Sequence, residues 1–146
     1  MPTVSCSRTI NANSDAVWVP LADYMHIDRL SPGIVRVEAL TSGENGVGSR
    51  RWNFFEDGNS VVEEVTGWKA GQSMLLKLTD MQAMPLTAAD AEIRLTPSGG
   101  KTTVTWAFRY RMKFGPIGWV LGQTLLKMVM KKAIKSNLEG LARTVE

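Results

Sequence analysis

The sequence predicts an α+β domain in which a meander of antiparallel strands is followed by one long C-terminal helix. From Ile34 to Phe114, short runs that alternate apolar and polar residues are separated by stretches rich in Gly, Asn and Asp, which is typical of strands joined by hairpins. From Gly115 to Glu146, apolar residues instead recur at steps of three and four, the spacing of one helix face. The predicted order is one strand, two short helices, six strands and the long helix.

The N-terminal part supplies the first strand and the two short helices. Residues 3–10 alternate weakly and predict a strand. Asn13 offers an N-cap oxygen to the apolar stretch that follows, and Pro20 keeps that helix short or kinked. A second short helix is predicted over residues 26–30, because helical backbone is disfavoured at the residue before Pro32.

Several of the later strands place apolar side chains at every second position, so that one face packs inward and the other meets water. The residues predicted to face inward are Trp52, Phe54, Met74, Leu76, Leu78, Ala89, Ala91, Ile93, Leu95, Val104, Trp106, Phe108, Tyr110, Met112 and Phe114. This set mixes very large side chains with small ones. From the residues alone, a filled core in which the alanines make room for the rings is favoured over a cavity walled by aromatics.

The C-terminal segment is predicted to cover this sheet. Its apolar stretch before Lys127 is much shorter than the roughly 20 residues that a transmembrane helix needs. One helical face carries Leu126, Met130, Ile134, Leu138, Leu141 and Val145, and the opposite face carries Lys132, Ser136, Glu139 and Arg143. Because the basic face is expected to lack an exposed apolar neighbour, stable membrane insertion is not expected.

Composition sets wider limits on function. A chain of 146 residues is expected to form a single domain spanning residues 1–146. Its net charge of +3, from 17 basic and 14 acidic side chains, is too weak to indicate a nucleic-acid partner. With one cysteine and one histidine, neither a metal site nor a cofactor is expected. No signal peptide is visible at the start, so a cytoplasmic location is expected.

Four features are candidates for chemical sites. The glycine-rich "GENGVG" precedes a predicted strand rather than a helix, which favours a hairpin loop over a phosphate-binding loop. His26 is a candidate general base but is interpreted as an exposed polar residue, and Cys6 as a small strand residue. Glu63 and Glu64 must point to opposite faces of a strand. The sequence does not decide which of them faces inward, where a carboxylate near Tyr110 or Arg50 could act as an acid or base.

The chain as a whole resembles the START-like, pollen-allergen-like (SRPBCC) superfamily. The residues that carry the resemblance are "INANSDAVWVPLADYMHIDRLSPGIVRVEAL", "GENGVGSRR" and "FGPIGWVLG". Within the superfamily the chain is most similar to the polyketide cyclase/dehydrase and lipid-transport group. The resemblance implies a helix-grip fold, in which a curved antiparallel sheet of about seven strands wraps around the C-terminal helix. It also implies a hydrophobic cavity between sheet and helix, and it carries over no catalytic residue.

These expectations lead to one functional hypothesis and two alternatives. The chain is expected to bind a small hydrophobic molecule, such as a lipid, a polyketide-like compound or an aromatic compound. The predicted ligand-binding residues are Trp52, Phe54, Leu76, Leu78, Ala91, Trp106, Phe108, Tyr110, Met112, Leu125 and Val129. One alternative is an enzyme that acts on such a molecule in the same cavity, and the other is a protein-interaction module with a filled core. Homodimer formation is left open.

Overall fold

A single antiparallel sheet of seven strands forms the framework of the part of the chain that the structure describes. The computed structural model describes residues 2–81, 86–112, 116–117, 120 and 124–146. The strands are β1 (Thr3–Ile10), β2 (Ile34–Ala39), β3 (Arg50–Phe55), β4 (Ser60–Lys69), β5 (Ser73–Thr79), β6 (Leu86–Ser98) and β7 (Lys101–Met112). Their spatial order is β1-β7-β6-β5-β4-β3-β2. The chain therefore runs as a meander from β2 to β7, and β7 then pairs with β1.

Two short helices connect β1 to β2, as predicted. Helix α1 spans Ser14–Ala22, and a 3₁₀ helix spans Tyr24–Arg29. The side chain of Asn13 caps α1 by accepting a hydrogen bond from the backbone N–H of Ala16, at 2.9 Å. The "GENGVG" segment lies between β2 and β3, and it does not begin a helix, in agreement with the predicted loop.

The long helix α2 (Leu125–Val145) packs on the sheet with the face that the sequence predicts. Ile134, Leu138 and Leu141 are buried, and the flanking Leu126, Met130 and Val145 pack against the same core. No helix in the described ranges is long and apolar enough to cross a membrane.

The first turns of α2 carry exposed apolar side chains, which contradicts one of the sequence-based arguments. Leu125, Met128 and Val129 are exposed, at 64%, 71% and 56%. The expectation that the basic face has no exposed apolar neighbour is therefore wrong, although Lys132 is exposed, as predicted.

Inward faces were predicted correctly for three strands and wrongly for one. The alternating residues of β5, β6 and β7 are buried from Met74 to Leu78, from Ala89 to Leu95 and from Val104 to Tyr110, whereas Phe114 lies outside the described residues. On β3, the buried residues are instead Arg51 and Asn53.

Trp52 and Phe54 consequently lie on the outer face of the sheet. Their rings pack against each other with centroids 4.7 Å apart, and the Arg36 guanidinium covers Phe54 at 3.9 Å from the ring centroid. The prediction rested on apolar residues at every second position. The alternation misleads on β3 because the charge of Arg51 is paired inside the domain.

Candidate functional site

An apolar cavity of about 370 Å³ lies between the inner face of the sheet and α2. The sheet contributes large and small side chains to its wall, and α2 contributes one flank. Its apolar lining includes Ile27, Ile34, Phe55, Val61, Leu78, Ala91, Trp106, Phe108, Val129, Met130, Ala133 and Ile134. The interior is therefore not the filled core that the residues alone favour. Ala91 pairs with Leu76 on β5 and with Phe108 on β7, and its small side chain leaves part of this volume open.

Three polar side chains from β3 and β4 form a cluster on the cavity wall. The register of these strands pairs Arg51 with Glu63 and Asn53 with Val61, so all three polar side chains point to the inner face. Arg51 donates from Nε and Nη2 to Glu63 Oε1, at 3.0 and 2.9 Å. Asn53 donates from Nδ2 to the same oxygen. Glu63, rather than Glu64, is thus the inward carboxylate.

The Arg51–Glu63 ion pair is deeply buried and held from a second side. The side chains of Arg51 and Glu63 are only 2% and 12% exposed. Arg51 also donates from Nη1 to the backbone oxygen of Tyr24, at 2.8 Å, and its guanidinium stacks 3.9 Å from the Tyr24 ring centroid. The Tyr24 hydroxyl donates to the backbone oxygen of Glu63, at 2.9 Å. The guanidinium is therefore oriented by contacts from two elements, and its charge is compensated locally.

The amide of Asn53 is only partly satisfied. Its residue is 1% exposed and lines the cavity, and its Oδ1 has no hydrogen-bond partner among the described residues. Because Nδ2 donates to a carboxylate, which can only accept, the orientation of the amide follows from the chemistry of its neighbour. A residue of the cavity lining thus carries a buried acceptor without a partner among the described residues.

The cavity brings together some of the predicted ligand-binding residues and separates others. Leu78, Ala91, Trp106, Phe108 and Val129 line it. Leu76 and Tyr110 are buried in the core but are not part of this lining, and Met112 is half-buried at the end of β7. Trp52 and Phe54 face away from it, as described above, and Leu125 is exposed and is not part of this lining. The inward placement predicted for Trp52 and Phe54 is wrong.

The polar cluster of Arg51, Asn53 and Glu63 was not predicted as a unit. The sequence does contain a signal for it, because "RR" on β3 and "EE" on β4 lie at equal distances before and after Asp57, in the turn between these strands. Opposite charges at such cross-strand positions indicate paired side chains. Which of the two pairs lies inside depends on the face of the sheet that α2 covers.

The other candidates of the sequence lie away from this cavity. His26 Nδ1 is 2.6 Å from Asp23 Oδ1, with both side chains about half exposed, as expected of a surface polar residue. Cys6 is buried. A wider cleft of about 620 Å³ runs along β5 and β6, but it includes the surface ion pair of Asp90 and Arg109. The cavity between the sheet and α2 has the more apolar lining of the two and is the better candidate for a ligand site.

Both tyrosines of the chain resist ionisation in the folded protein. Burial raises the pKa of Tyr24, and the nearby charge of Arg51 only partly opposes this effect. Burial also raises the pKa of Tyr110. A phenol whose folded-state pKa exceeds its unfolded value of about 10 contributes stability that is complete below that pH. This stability is lost as the pH rises through the higher folded value.

We therefore expect the phenolate absorbance of the native protein not to develop near pH 10. It should instead appear at higher pH, together with loss of the native circular dichroism signal. An alkaline titration that follows both signals on one sample measures this directly. A gradual rise of phenolate absorbance near pH 10, with the native signal intact, would show that the two hydroxyls are accessible to water.

The sheet, the two short helices after its first strand, the C-terminal helix and the cavity between them define a helix-grip domain. Solved structures share this fold. The chain is similar to the protein TTHA0849 from Thermus thermophilus, with a TM-score of 0.79 and 20% identity over 99% of this chain and 97% of that one. It is also similar to the Zhui aromatase/cyclase from Streptomyces sp. R1128, with a TM-score of 0.81 and 15% identity over 99% and 93% of the two chains.

A third similar structure is norcoclaurine synthase from Thalictrum flavum, solved in complex with dopamine and hydroxybenzaldehyde. Its TM-score is 0.77, with 15% identity over 99% of this chain and 86% of that one. No curated protein matches the chain by sequence. A sequence model of the family described as polyketide cyclase / dehydrase and lipid transport matches residues 1–146. The chain belongs to this family.

Proposed function

We propose that this protein binds a small hydrophobic molecule in the cavity between the sheet and α2. The observation that carries the proposal is a partly open volume of about 370 Å³ with a mostly apolar wall and a few polar side chains, which is the usual composition of a small-molecule site. The family description, which names polyketide cyclases, dehydrases and lipid transport, supports the same class of ligand. So does the norcoclaurine synthase structure, which holds two small aromatic compounds.

The size of the cavity limits the expected affinity. Its volume is near the lower end of the range for ligand pockets, so we consider a ligand of about 15 heavy atoms. At roughly −0.4 kcal/mol per atom, the binding free energy is about −6 kcal/mol. This corresponds to a Kd of about 40 µM.

Prodan, a neutral naphthalene dye of suitable size, tests the proposal. Its emission should shift to the blue in a saturable manner, with a midpoint of about 10–100 µM on the same arithmetic. Replacing Ala91 by Phe should abolish the response, because the ring would occupy the cavity that Ala91 lines. Ala107, on the opposite face of the adjacent strand β7, provides the matched control, and Ala107→Phe should leave dye binding unchanged.

Thermal melting of the same variants separates a cavity from a filled core. If Ala91→Phe enters open volume, its melting temperature should stay close to that of the wild type. In a filled core the substitution would overpack the interior and cost about 1–3 kcal/mol. A wild-type protein that binds no dye, together with such a loss of stability in Ala91→Phe, would contradict the binding proposal.

A second candidate function is catalysis on the bound molecule. The observation that favours it is the Glu63 carboxylate, which lines the cavity and is 12% exposed, a position from which a carboxylate can exchange a proton with a ligand. The test is turnover of a cyclisable aromatic precursor by the wild type and by Glu63→Gln. Equal rates in the two proteins would exclude a proton-transfer role for Glu63, whereas the binding proposal does not depend on the outcome.

A further inference from the structure

Within the polar cluster, Asn53 Oδ1 is the buried side-chain atom that lacks a hydrogen-bond partner among the described residues. Glu63 Oε1 accepts from Arg51 Nε, Arg51 Nη2 and Asn53 Nδ2. Arg51 Nη1 donates to the Tyr24 carbonyl. A buried amide oxygen without a donor costs free energy that a ligand N–H or O–H would recover.

The charges around the cavity disfavour an anionic group at this position. The positive charge of Arg51 is matched at 2.9 Å by Glu63, so the cluster has no uncompensated cation to offer. A ligand carboxylate placed there would also approach the Glu63 carboxylate in a medium of low dielectric constant. The other basic group among the described lining residues, Lys132, is exposed on α2, where water screens its charge.

The remaining polar side chains of the lining are uncharged, so they do not change the balance of charge around the cluster. Ser31 donates to Asn137 Oδ1, at 2.6 Å, so these two groups of the helix side already satisfy one another in part. Ser136 is half-buried on α2 and carries no charge. Among the described lining residues, Asn53 is thus the one with a buried side-chain atom that lacks a hydrogen-bond partner.

We propose that the cavity selects a neutral ligand whose polar end donates a hydrogen bond to Asn53 Oδ1, such as a phenol or an alcohol, in preference to a carboxylate. This inference rests on the proposed binding function and specifies the ligand class for the same site. Asn53 is the specificity-determining residue, and the Arg51–Glu63 pair is the neutral support that orients its amide. The apolar wall contributes affinity without distinguishing among these end groups.

Three probes of one shape test the inference: 2-naphthol, 2-methylnaphthalene and 2-naphthoate, titrated by calorimetry at neutral pH. The methyl group is the more hydrophobic substituent, so equal or tighter binding of 2-naphthol by the wild type indicates a hydrogen bond. We expect 2-naphthol to bind at least as tightly as 2-methylnaphthalene. We expect 2-naphthoate to bind at least about tenfold more weakly than 2-naphthol, because its carboxylate meets Glu63.

The variant Asn53→Leu removes the acceptor and keeps a side chain of similar size. The ratio of 2-naphthol to 2-methylnaphthalene affinity should shift about 3- to 10-fold toward 2-methylnaphthalene, the range for one hydrogen bond. The control Asn11→Leu makes the same change at an exposed position outside the cavity lining and should leave the ratio unchanged. If Asn53→Leu does not fold, the wild-type comparison remains decisive.

The outcomes distinguish this inference from the binding proposal. Saturable binding of 2-methylnaphthalene that is tighter than that of 2-naphthol in the wild type, or a ratio unaffected by Asn53→Leu, overturns the role of Asn53 but supports the cavity. Tightest binding of 2-naphthoate overturns the preference for a neutral ligand. Absence of binding by all three probes overturns both proposals.

Discussion

Replacing Gly140 by Ala is expected to destabilise the protein by more than about 3 kcal/mol, although alanine is the better helix former. Gly140 is buried in α2, where the helix crosses the end of the 3₁₀ helix. A Cβ at this position would overlap the backbone oxygen of Leu30 and lie 2.8 Å from its carbonyl carbon. Neither atom belongs to a flexible side chain, so the helix or the loop would have to move as a unit.

Thermal and urea unfolding of Gly140→Ala measure this loss, and the melting temperature should fall by about 10 °C or more. Gly46 provides the control, because a Cβ there meets nothing within 4 Å and its backbone does not require glycine. Gly46→Ala should change stability by less than about 1 kcal/mol. In an isolated helix Gly→Ala stabilises by about 1 kcal/mol, so a more stable Gly140→Ala protein would contradict the crossing of α2 over Leu30.

Replacing Arg51 by Met is expected to cost about 3–5 kcal/mol, because it leaves the Glu63 carboxylate buried without its counter-charge. The substitution also removes the hydrogen bond to the Tyr24 carbonyl and the stacking on its ring. The expected magnitude is that of a broken buried pair. It is not the net contribution of the pair, since ion pairs lose most of their attraction to desolvation.

The neighbouring pair of Arg50 and Glu64 provides a matched comparison. Their charged atoms are 3.5 Å apart, and the side chains are 43% and 42% exposed, so Arg50→Met should cost less than about 1 kcal/mol. The double variant Arg51→Met/Glu63→Leu removes both charges and should recover much of the stability lost in Arg51→Met. Urea unfolding of the wild type, the two single variants and the double variant measures these losses of stability. Equal losses of stability in Arg50→Met and Arg51→Met would show that the Arg51 pair is open to water.

The regular elements of this fold could be predicted because their patterns are long and local. On β7, alternation continues from Val104 to Tyr110, and each of these alternate residues is buried. The stripe from Leu126 to Val145 on α2 likewise faces the core. In both cases, the hydrophobic periodicity of a single element decides which side is buried, and no knowledge of a partner is needed.

The candidate site depended on tertiary structure. Whether Ala91 fills a gap or borders a cavity depends on the distance between the sheet and α2. The pattern of residues along one strand or helix does not determine that distance. The position of Val129 likewise depends on tertiary structure, since this residue is 56% exposed and yet lines the cavity.

The amino-acid sequence alone dictates the meander of strands, the two short helices and the face of α2 that covers the sheet. Each of these follows from the spacing of apolar residues within a single element. The orientation of β3, which turns Arg51 and Asn53 inward and leaves Trp52 and Phe54 outside, follows only from the assembled sheet. A charged side chain can be buried where a counter-charge meets it. Glu63 lies on another strand, so the face of β3 depends on residues outside β3.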